Sequence, residues 1–540
     1  MNARVRALLP ALLPVLGCAL VVAVLFAADR SPTGDGPHLA GAELRLAQLL
    51  RTGDPIRAWR LFVTLIAPQP PVGYLPGIAA FLVLGGGRLA ALTAMSASLL
   101  LLWDAYRRLG GGDARWSGAG PAWLLFVASP MTWLYVNQHG RDLVAGAAVL
   151  QAVSWLHASD GLRHRRASAA FGAWMAACLL TKYTAPFFLW APCLAVGLGL
   201  LWRSARPGPS TRPAWANLGV AVATCLVLAG PWWLAYGERA ASYLAFSSGS
   251  PGDISNTRSA DTMRSLEGLA YYPLALKAAI GWPPLVLALV GFALPRGPRL
   301  AALSALGGVA VLSSLSAAQD RYALPALCAL VAGVLPFARL AVGAPRLALL
   351  GPALVLALAV PLLAGTAARH GPGAAVAEAA YEHPLTTVSV LDWPTGTAYP
   401  PERFDAAAWE LARAVEEVAA VQGASTGTVG LLASRTPQTP QFAEVLQVAG
   451  EAGKMWDYAT VNLAYDPLGA RGQPDPWFVG PLFDGAWPPR TFTTLLVLHA
   501  PGPDGKLEDW LTANAARLTE RARWYLPNGG NGAVYAYAAE

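Results

Sequence analysis

Eleven apolar runs, each near the ~20 residues that a helix needs to cross a bilayer, decide what this chain can become. They fall at 7–28, 88–106, 121–137, 142–158, 167–182, 184–202, 217–236, 273–294, 300–317, 322–338 and 347–367. Charge is correspondingly scarce: 13% of the 540 residues are charged and 55% are hydrophobic, whereas soluble proteins carry about 25% charged residues. Mean hydropathy is +0.42. So little charge cannot solvate the surface of several soluble domains, and most of the chain must face lipid. The expected fold class is a polytopic α-helical membrane protein. The first run follows Arg4 and Arg6 and is long for a signal peptide, so it is read as a retained anchor.

Orientation follows from the loops. Residues 1–367 hold 28 Lys+Arg against 13 Asp+Glu, and residues 368–540 hold 11 against 19. With Arg4 and Arg6 placed inside, every later inside loop is basic: Arg107, Arg108 and Arg115; Arg163, Arg165 and Arg166; Arg203, Arg206 and Arg212; Arg296 and Arg299; Arg339 and Arg346. This is the positive-inside pattern, and it accounts for the net charge of +7 without nucleic acid, for which no recognition motif is present. The N-terminus is therefore expected in the cytoplasm. Tyr74 to Leu84 is too short to span and ends in Gly85-Gly86-Gly87, so it is read as an interfacial or re-entrant helix. Segment 29–87 then forms one large outer loop, with Arg45, Arg51, Arg57 and Arg60 toward headgroups, and 237–272 forms a second.

Span parity puts residues 368–540 outside, as a soluble α/β domain following the membrane domain 1–367. Expected strands are 385–391, 428–433, 491–499 and 533–538; expected helices are 404–421, 441–452 and 506–524. Trp409, Leu411 and Val415 share the apolar face of the first of these helices. This alternation suggests a largely parallel sheet. The five Cys residues all lie in apolar runs, and no CxxC or Cys/His spacing suggests a metal. Neither a metal nor a cofactor is expected.

The outer loops collect the groups able to do chemistry. Asp35 and His38 follow the first run; Arg141-Asp142 opens the fourth; Lys182-Tyr183 lies between the fifth and sixth. Loop 237–272 carries Arg258 and Arg264 among other charges, and Asp320-Arg321-Tyr322 opens the tenth run. Acids beside cations at span ends suit an anionic, lipid-borne substrate at the membrane surface. Plainer roles stand beside this one: Asp35 as a turn residue, Asp142 as a helix cap with Arg141 snorkelling, Asp320-Arg321 as a surface ion pair, His38 as a solvated histidine, and the 20 Trp residues as interfacial belt or packing.

These features, in this order, resemble the GT-C membrane glycosyltransferases, in particular the dolichyl-phosphate-mannose protein mannosyltransferases (glycosyltransferase family 39) and their bacterial lipid-modifying relatives. The similarity runs from residue 5 to about 340. It rests on the early outer acid Asp35, whose frequent acidic neighbour is Gly36 here, and on Gln69-Pro70-Pro71-Val72-Gly73-Tyr74, which keeps the family's Pro pair and Tyr without its Lys. It rests further on Gly140-Arg141-Asp142-Leu143, Leu180-Thr181-Lys182-Tyr183, Gly230-Pro231-Trp232-Trp233 and Arg321-Tyr322-Ala323-Leu324-Pro325. The resemblance implies sugar transfer from a polyprenyl-phosphate donor to a lipid, glycan or protein acceptor, on the outer face of a bacterial inner membrane. Asp35 and Asp142 would then be the catalytic pair, Asp35 as base and Asp142 orienting the acceptor or holding a cation. His38, Tyr74, Arg141, Lys182, Arg258, Arg264, Asp320 and Arg321 would bind substrate. The competing functions are a flippase or transporter of lipid-linked glycans, which predicts charges inside the spans, and a non-catalytic envelope scaffold.

Overall fold

The structure, a computed structural model, describes residues 3–28, 36–56, 58, 59, 62, 70–85, 87–111, 119–206, 211–249, 266–294, 297–314, 320–339, 350–372, 410–423, 426–433, 448, 449, 452, 455–460, 493–499, 502, 505–527 and 529–538. In chain order the helices begin α1 Ala3–Ala27, α2 Gly36–Arg51, α3 Leu75–Leu84, α4 Arg88–Leu109, α5 Ala119–Ala128 and α6 Pro130–Asn137. There follow α7 Arg141–Ala158, α8 Arg165–Leu179, α9 Trp190–Ser204, α10 Arg212–Gly249, α11 Leu266–Ile280, α12 Trp282–Ala293 and α13 Arg299–Ser313. The last apolar helices are α14 Leu324–Val331, α15 Leu335–Arg339 and α16 Leu350–His370. Short 3-10 turns occupy Pro71–Tyr74, Ala185–Phe188 and Asp320–Ala323. The chain divides into two compact units, one of residues 1–29, 68–74 and 92–401, the other of residues 30–67, 75–91 and 402–540.

The first unit is a helical bundle. Among the described residues, α4 and the Arg212–Glu238 part of α10 are each long and apolar enough to cross a membrane, and two bent pairs raise this to four if each is one span. Those pairs correct two expected straight runs. In place of one helix at 121–137, α5 and α6 meet at 65° where Ser129 precedes Pro130; in place of one at 273–294, α11 and α12 meet at 110° around Gly281. Proline removes an amide donor and crowds the carbonyl one turn earlier, so a helix stops before it and a new one starts with it in the first turn. Pro130 and the Pro283-Pro284 pair sit in those first turns. The stretch read as loop 237–272 is partly helical, because α10 runs on to Gly249 and α11 starts at Leu266. At the fifth run, α8 stops at Leu179, which leaves Lys182 in the turn beyond the helix.

Several buried polar groups in this bundle find main-chain partners on other segments, as an apolar interior favours. The Trp123 indole donates to the Leu99 carbonyl at 2.7 Å, Tyr106 to Cys328 at 2.8 Å, Ser129 to Ala279 at 2.8 Å and Thr366 to Ala128 at 2.8 Å. Where α4 ends, Arg108 bonds Asp104, Gln151 and Ser154 and lies 3.9 Å over the Trp155 ring. Close backbone approach holds α8 against α10: a Cβ on Gly172 would lie 2.9 Å from the Cα of Ala221. Small residues at such crossings let apolar helices gain packing contacts.

In the second unit, α2 packs on α3 through Ala40, Leu44 and Ala47 against Phe81. Arg51, one of the residues expected to face headgroups, donates to the Leu82 carbonyl at 3.2 and 2.6 Å, which satisfies an open carbonyl at the end of α3. The chain then forms α17 Leu411–Gln422, β1 Thr426–Ala433, β2 Met455–Thr460, β3 Thr494–His499, α18 Gly505–Ala513, β4 Leu518–Tyr525 and β5 Asn531–Tyr537. Strand order is β2-β1-β3-β5-β4, with β1 parallel to β2 and β3 but β5 antiparallel to β3 and β4. The sheet is therefore mixed rather than largely parallel. One face buries Leu411, Val415 and Val418 of α17 against Val429, Leu496 and Trp524. The other buries Leu507 of α18 against Leu495, Val497 and Ala533.

The expected helix 506–524 breaks at Ala513, and its second half is β4. Ala-, Glu- and Arg-rich sequence reads as helix by propensity, but pairing with β5 and burial of Trp524 outweigh that preference. A bulge between Glu520 and Ala522 lets Glu520 and Arg523 meet at 2.5 Å, with Arg523 also donating to the Tyr535 hydroxyl at 3.0 Å. Strand 385–391, Trp409 and most of helix 441–452 lie outside the described residues. Substituting Gly172→Val should force α8 off α10, with a loss of about 1–3 kcal/mol typical of overpacking; a lowered melting temperature of the detergent-purified protein measures it.

Candidate functional site

Four sequence segments that are far apart in the chain meet within the first unit. The 3-10 turn Pro71–Tyr74 is pinned by a backbone bond, the Val72 amide donating to the Leu180 carbonyl at 2.6 Å. That bond places Gly73 against Arg141: a Cβ there would lie 2.7 Å from the Arg141 Cδ and 3.2 Å from the Thr181 carbonyl oxygen. Only a residue without a side chain fits this approach. The next residue, Tyr74, is buried, and the Arg141 guanidinium sits 4.8 Å over its ring.

Arg141 and Asp142 open α7. The helix is capped by Gly140, with no side-chain cap bond, so Asp142 is not the capping residue it could have been. Its carboxylate is 4% exposed and accepts from the Lys182 ammonium at 2.5 Å. Lys182 stands in the turn after α8, where Thr181 bonds back to the Ala177 carbonyl at 2.6 Å. The Lys182 ammonium also lies 4.6 Å over the ring of Tyr322, which the Arg321 guanidinium approaches at 5.7 Å. Burial lowers the Lys182 ammonium to about 8; Asp142 pulls it back up, while Arg321 and Arg141 push it further down. Burial also pushes the Tyr183 phenol up.

Five of the sequence-nominated residues are thus assembled: Tyr74, Arg141, Asp142, Lys182 and Arg321. Lys182 is paired with one carboxylate, and Arg141 and Arg321 are near enough to act on it, which leaves a positive excess at half-buried side chains. Such a group takes an anion, and guanidinium and ammonium donors suit phosphate oxygens. Asp35, Arg258 and Arg264 lie outside the described residues, as do the side chains of His38 and Asp320; His38 belongs to α2 and Asp320 opens the turn before α14. Among the described residues, no three His, Cys, Asp or Glu side chains come together as metal ligands.

Sequence reasoning gave several residues no role of their own. Tyr322 stacks beneath two cations, yet only its place beside Arg321 marked it. Tyr183 meets Trp233 edge-on, with ring centroids 6.0 Å apart. Lys277, 1% exposed on α11, was hidden in an apolar run; its helix packs on the Asp320–Ala323 turn. Glu43, fully buried on α2 against Gly77, is an acid of the second unit that no motif marked.

Removing one member of a buried ion pair strands the other, which typically costs about 3–5 kcal/mol. Asp142→Asn should therefore destabilise the protein toward the lower end of that range, since Lys182 is 22% exposed. The double variant Asp142→Asn with Lys182→Met should recover part of the loss, and a double-mutant cycle on thermal stability measures the coupling.

No family model and no curated protein matches this sequence. Solved structures do match its fold. ArnT from Cupriavidus metallidurans in the apo state superposes with a TM-score of 0.56 at 16% identity, covering 97% of this chain and 97% of that one. The same protein bound to undecaprenyl phosphate superposes with a TM-score of 0.55 at 16% identity, covering 97% and 98%. Over 97% of its length the chain has the fold of ArnT.

Proposed function

We propose that this chain is a membrane glycosyltransferase that moves a sugar from a polyprenyl-phosphate-linked donor to a hydroxyl of a lipid, glycan or protein acceptor. The observation that carries this reading is the gathering of Arg141 and Arg321 about Lys182, which is itself paired with the buried Asp142 carboxylate. It occurs on a fold shared with a protein solved with undecaprenyl phosphate bound. The same reading takes the apolar runs as about eleven spans of a bacterial inner membrane, with a cytoplasmic N-terminus. The site then opens on the outer face, and residues 368–540 form an extracytoplasmic domain.

The chemistry is one displacement. The acceptor oxygen bonds to the anomeric carbon as the bond from that carbon to the phosphate oxygen breaks, and the electron pair leaves with polyprenyl phosphate. The acceptor proton passes to a carboxylate. Asp35 is the proposed base, since a carboxylate with a reference pKa of ~3.9 is ionised at neutral pH. Arg141, Lys182 and Arg321 neutralise the charge that grows on the departing phosphate. Asp142 holds Lys182 in place, which fits the cation-holding role better than direct contact with the acceptor. The transporter reading expects ionisable groups along a path through the spans, whereas this cluster stands at helix ends and turns.

The test is release of undecaprenyl phosphate from labelled undecaprenyl-phosphate sugars by protein in liposomes, with envelope lipid and protein as acceptors. Wild type should release it, and Asp35→Asn should lower the rate at least ~100-fold, as for loss of a general base. Absence of release from every donor would overturn the assignment. The pH dependence has a defined sign. Lys182 is cationic below about 8 and neutral above it, so its pull on phosphate is present at lower pH and fades as pH rises through that value. Undecaprenyl-phosphate binding by wild type should weaken about tenfold on the alkaline side, an effect of ~1.4 kcal/mol. Lys182→Arg should remove this alkaline limb.

A further inference from the structure

Beside the cationic group stands an aromatic cluster with an unmet chemical need. Trp232 and Trp233 meet edge to face with ring centroids 5.2 Å apart, Tyr183 meets Trp233 at 6.0 Å, and Tyr236 meets Trp232 at 5.9 Å. Both indole rings pack against the buried cluster of Ala176, Leu180, Cys225 and Ala229, on which Val72 also packs, so they border the two turns that carry Tyr74 and Lys182. Both indole N–H groups are buried, and among the described residues no protein group accepts from either one. Elsewhere in the same bundle the buried indoles Trp123 and Trp133 donate to main-chain carbonyls at 2.7 Å. Two adjacent buried donors without an acceptor are unusual in a folded protein and point to a partner outside the chain. The pair therefore departs from the belt-or-packing role expected of tryptophans here.

We propose that Trp232 and Trp233, with Tyr183 and Tyr236, form the subsite for the sugar ring of the lipid-linked donor. The occupant must meet two requirements together: apolar faces for aromatic packing and oxygens for two N–H donors. A sugar ring has both, its C–H faces stacking and its hydroxyls accepting. An isoprenoid chain satisfies the rings alone and would leave both donors buried and unbonded. Position selects the donor sugar, because Tyr183 directly follows Lys182, whose ammonium belongs to the group assigned to the phosphate. This inference rests on the transferase reading, with the phosphate at Arg141, Lys182 and Arg321.

The test compares two ligands on the full-length protein in nanodiscs: undecaprenyl phosphate, and undecaprenyl phosphate carrying glucose, mannose or arabinose. Wild type should bind at least one sugar-bearing form about tenfold more tightly than the bare phosphate. The double variant Trp232→Phe with Trp233→Phe keeps ring packing and removes both donors. It should lose that tenfold preference while binding undecaprenyl phosphate as wild type does, which also reports that it is folded. Equal weakening of both ligands would overturn the subsite and make the cluster a lipid or packing element. A wild type with no preference for any sugar-bearing form would overturn it too. Failure of wild type to bind either ligand would instead overturn the transferase reading on which it rests. A variant that neither folds nor binds is replaced by single Phe substitutions, each expected to remove part of the preference; retention of the full preference in both would overturn the proposal.

Discussion

One ion pair organises the candidate site. The Lys182 ammonium and the Asp142 carboxylate, 2.5 Å apart, join the turn after α8 to the start of α7 across 40 positions of sequence. Neither charge is tolerable alone in surroundings this apolar. Their pairing makes it possible to bring Arg141 and Arg321 close as well, and so to hold more positive charge than negative beside a bundle of hydrocarbon side chains. That surplus is the electrostatic basis for taking up a phosphate. Burial is the main cause of the weakened proton affinity of Lys182, and the positive surplus that draws an anion in adds to it through Arg321 and Arg141.

The assembled residues share a structural setting: each stands where regular helix stops. Tyr74 ends a 3-10 turn, Arg141 and Asp142 occupy a first helical turn, Lys182 follows the last turn of α8, and Arg321 lies in a 3-10 turn before α14. Helix interiors in this unit are committed to packing through Ala, Leu and Gly. Ends leave backbone groups open and side chains free to converge. The bond from the Val72 amide to the Leu180 carbonyl uses that opening to tie two ends directly together.

The apolar helices were legible because hydropathy is a local property, and so was the small set of segments worth watching. The breaks at Pro130 and Pro283-Pro284 were also written in the sequence, but continuous apolar character masked them. The pairing of Lys182 with Asp142 was not legible, since residue type marks a candidate and only the packing of α7 on α8 decides its partner. Tyr322 and Lys277 escaped for a related reason: an aromatic or an isolated cation in an apolar run looks like packing until its surroundings are known. In the second unit the strand Leu518–Tyr525 was hidden by helix-forming residues, because its stability comes from β5 and from the buried Trp524 rather than from its own sequence. Met455–Thr460 lacked the apolar alternation that exposes a strand, and it owes its conformation to pairing with β1.

Helix α10 has a geometric consequence. Its 38 residues make a rod of about 57 Å, while the hydrocarbon layer of a bilayer is about 30 Å thick. Even at the ~40° upper end of helix tilt, such a rod has a vertical reach of roughly 44 Å. A length of several turns must stand clear of hydrocarbon, like a mast whose foot is stepped in the bundle beside Gly172. Pro231, with Trp232 and Trp233 next to it, sits about midway up this mast. A bend in this rod would therefore centre on one proline beside the two indoles rather than require a rearrangement of the bundle.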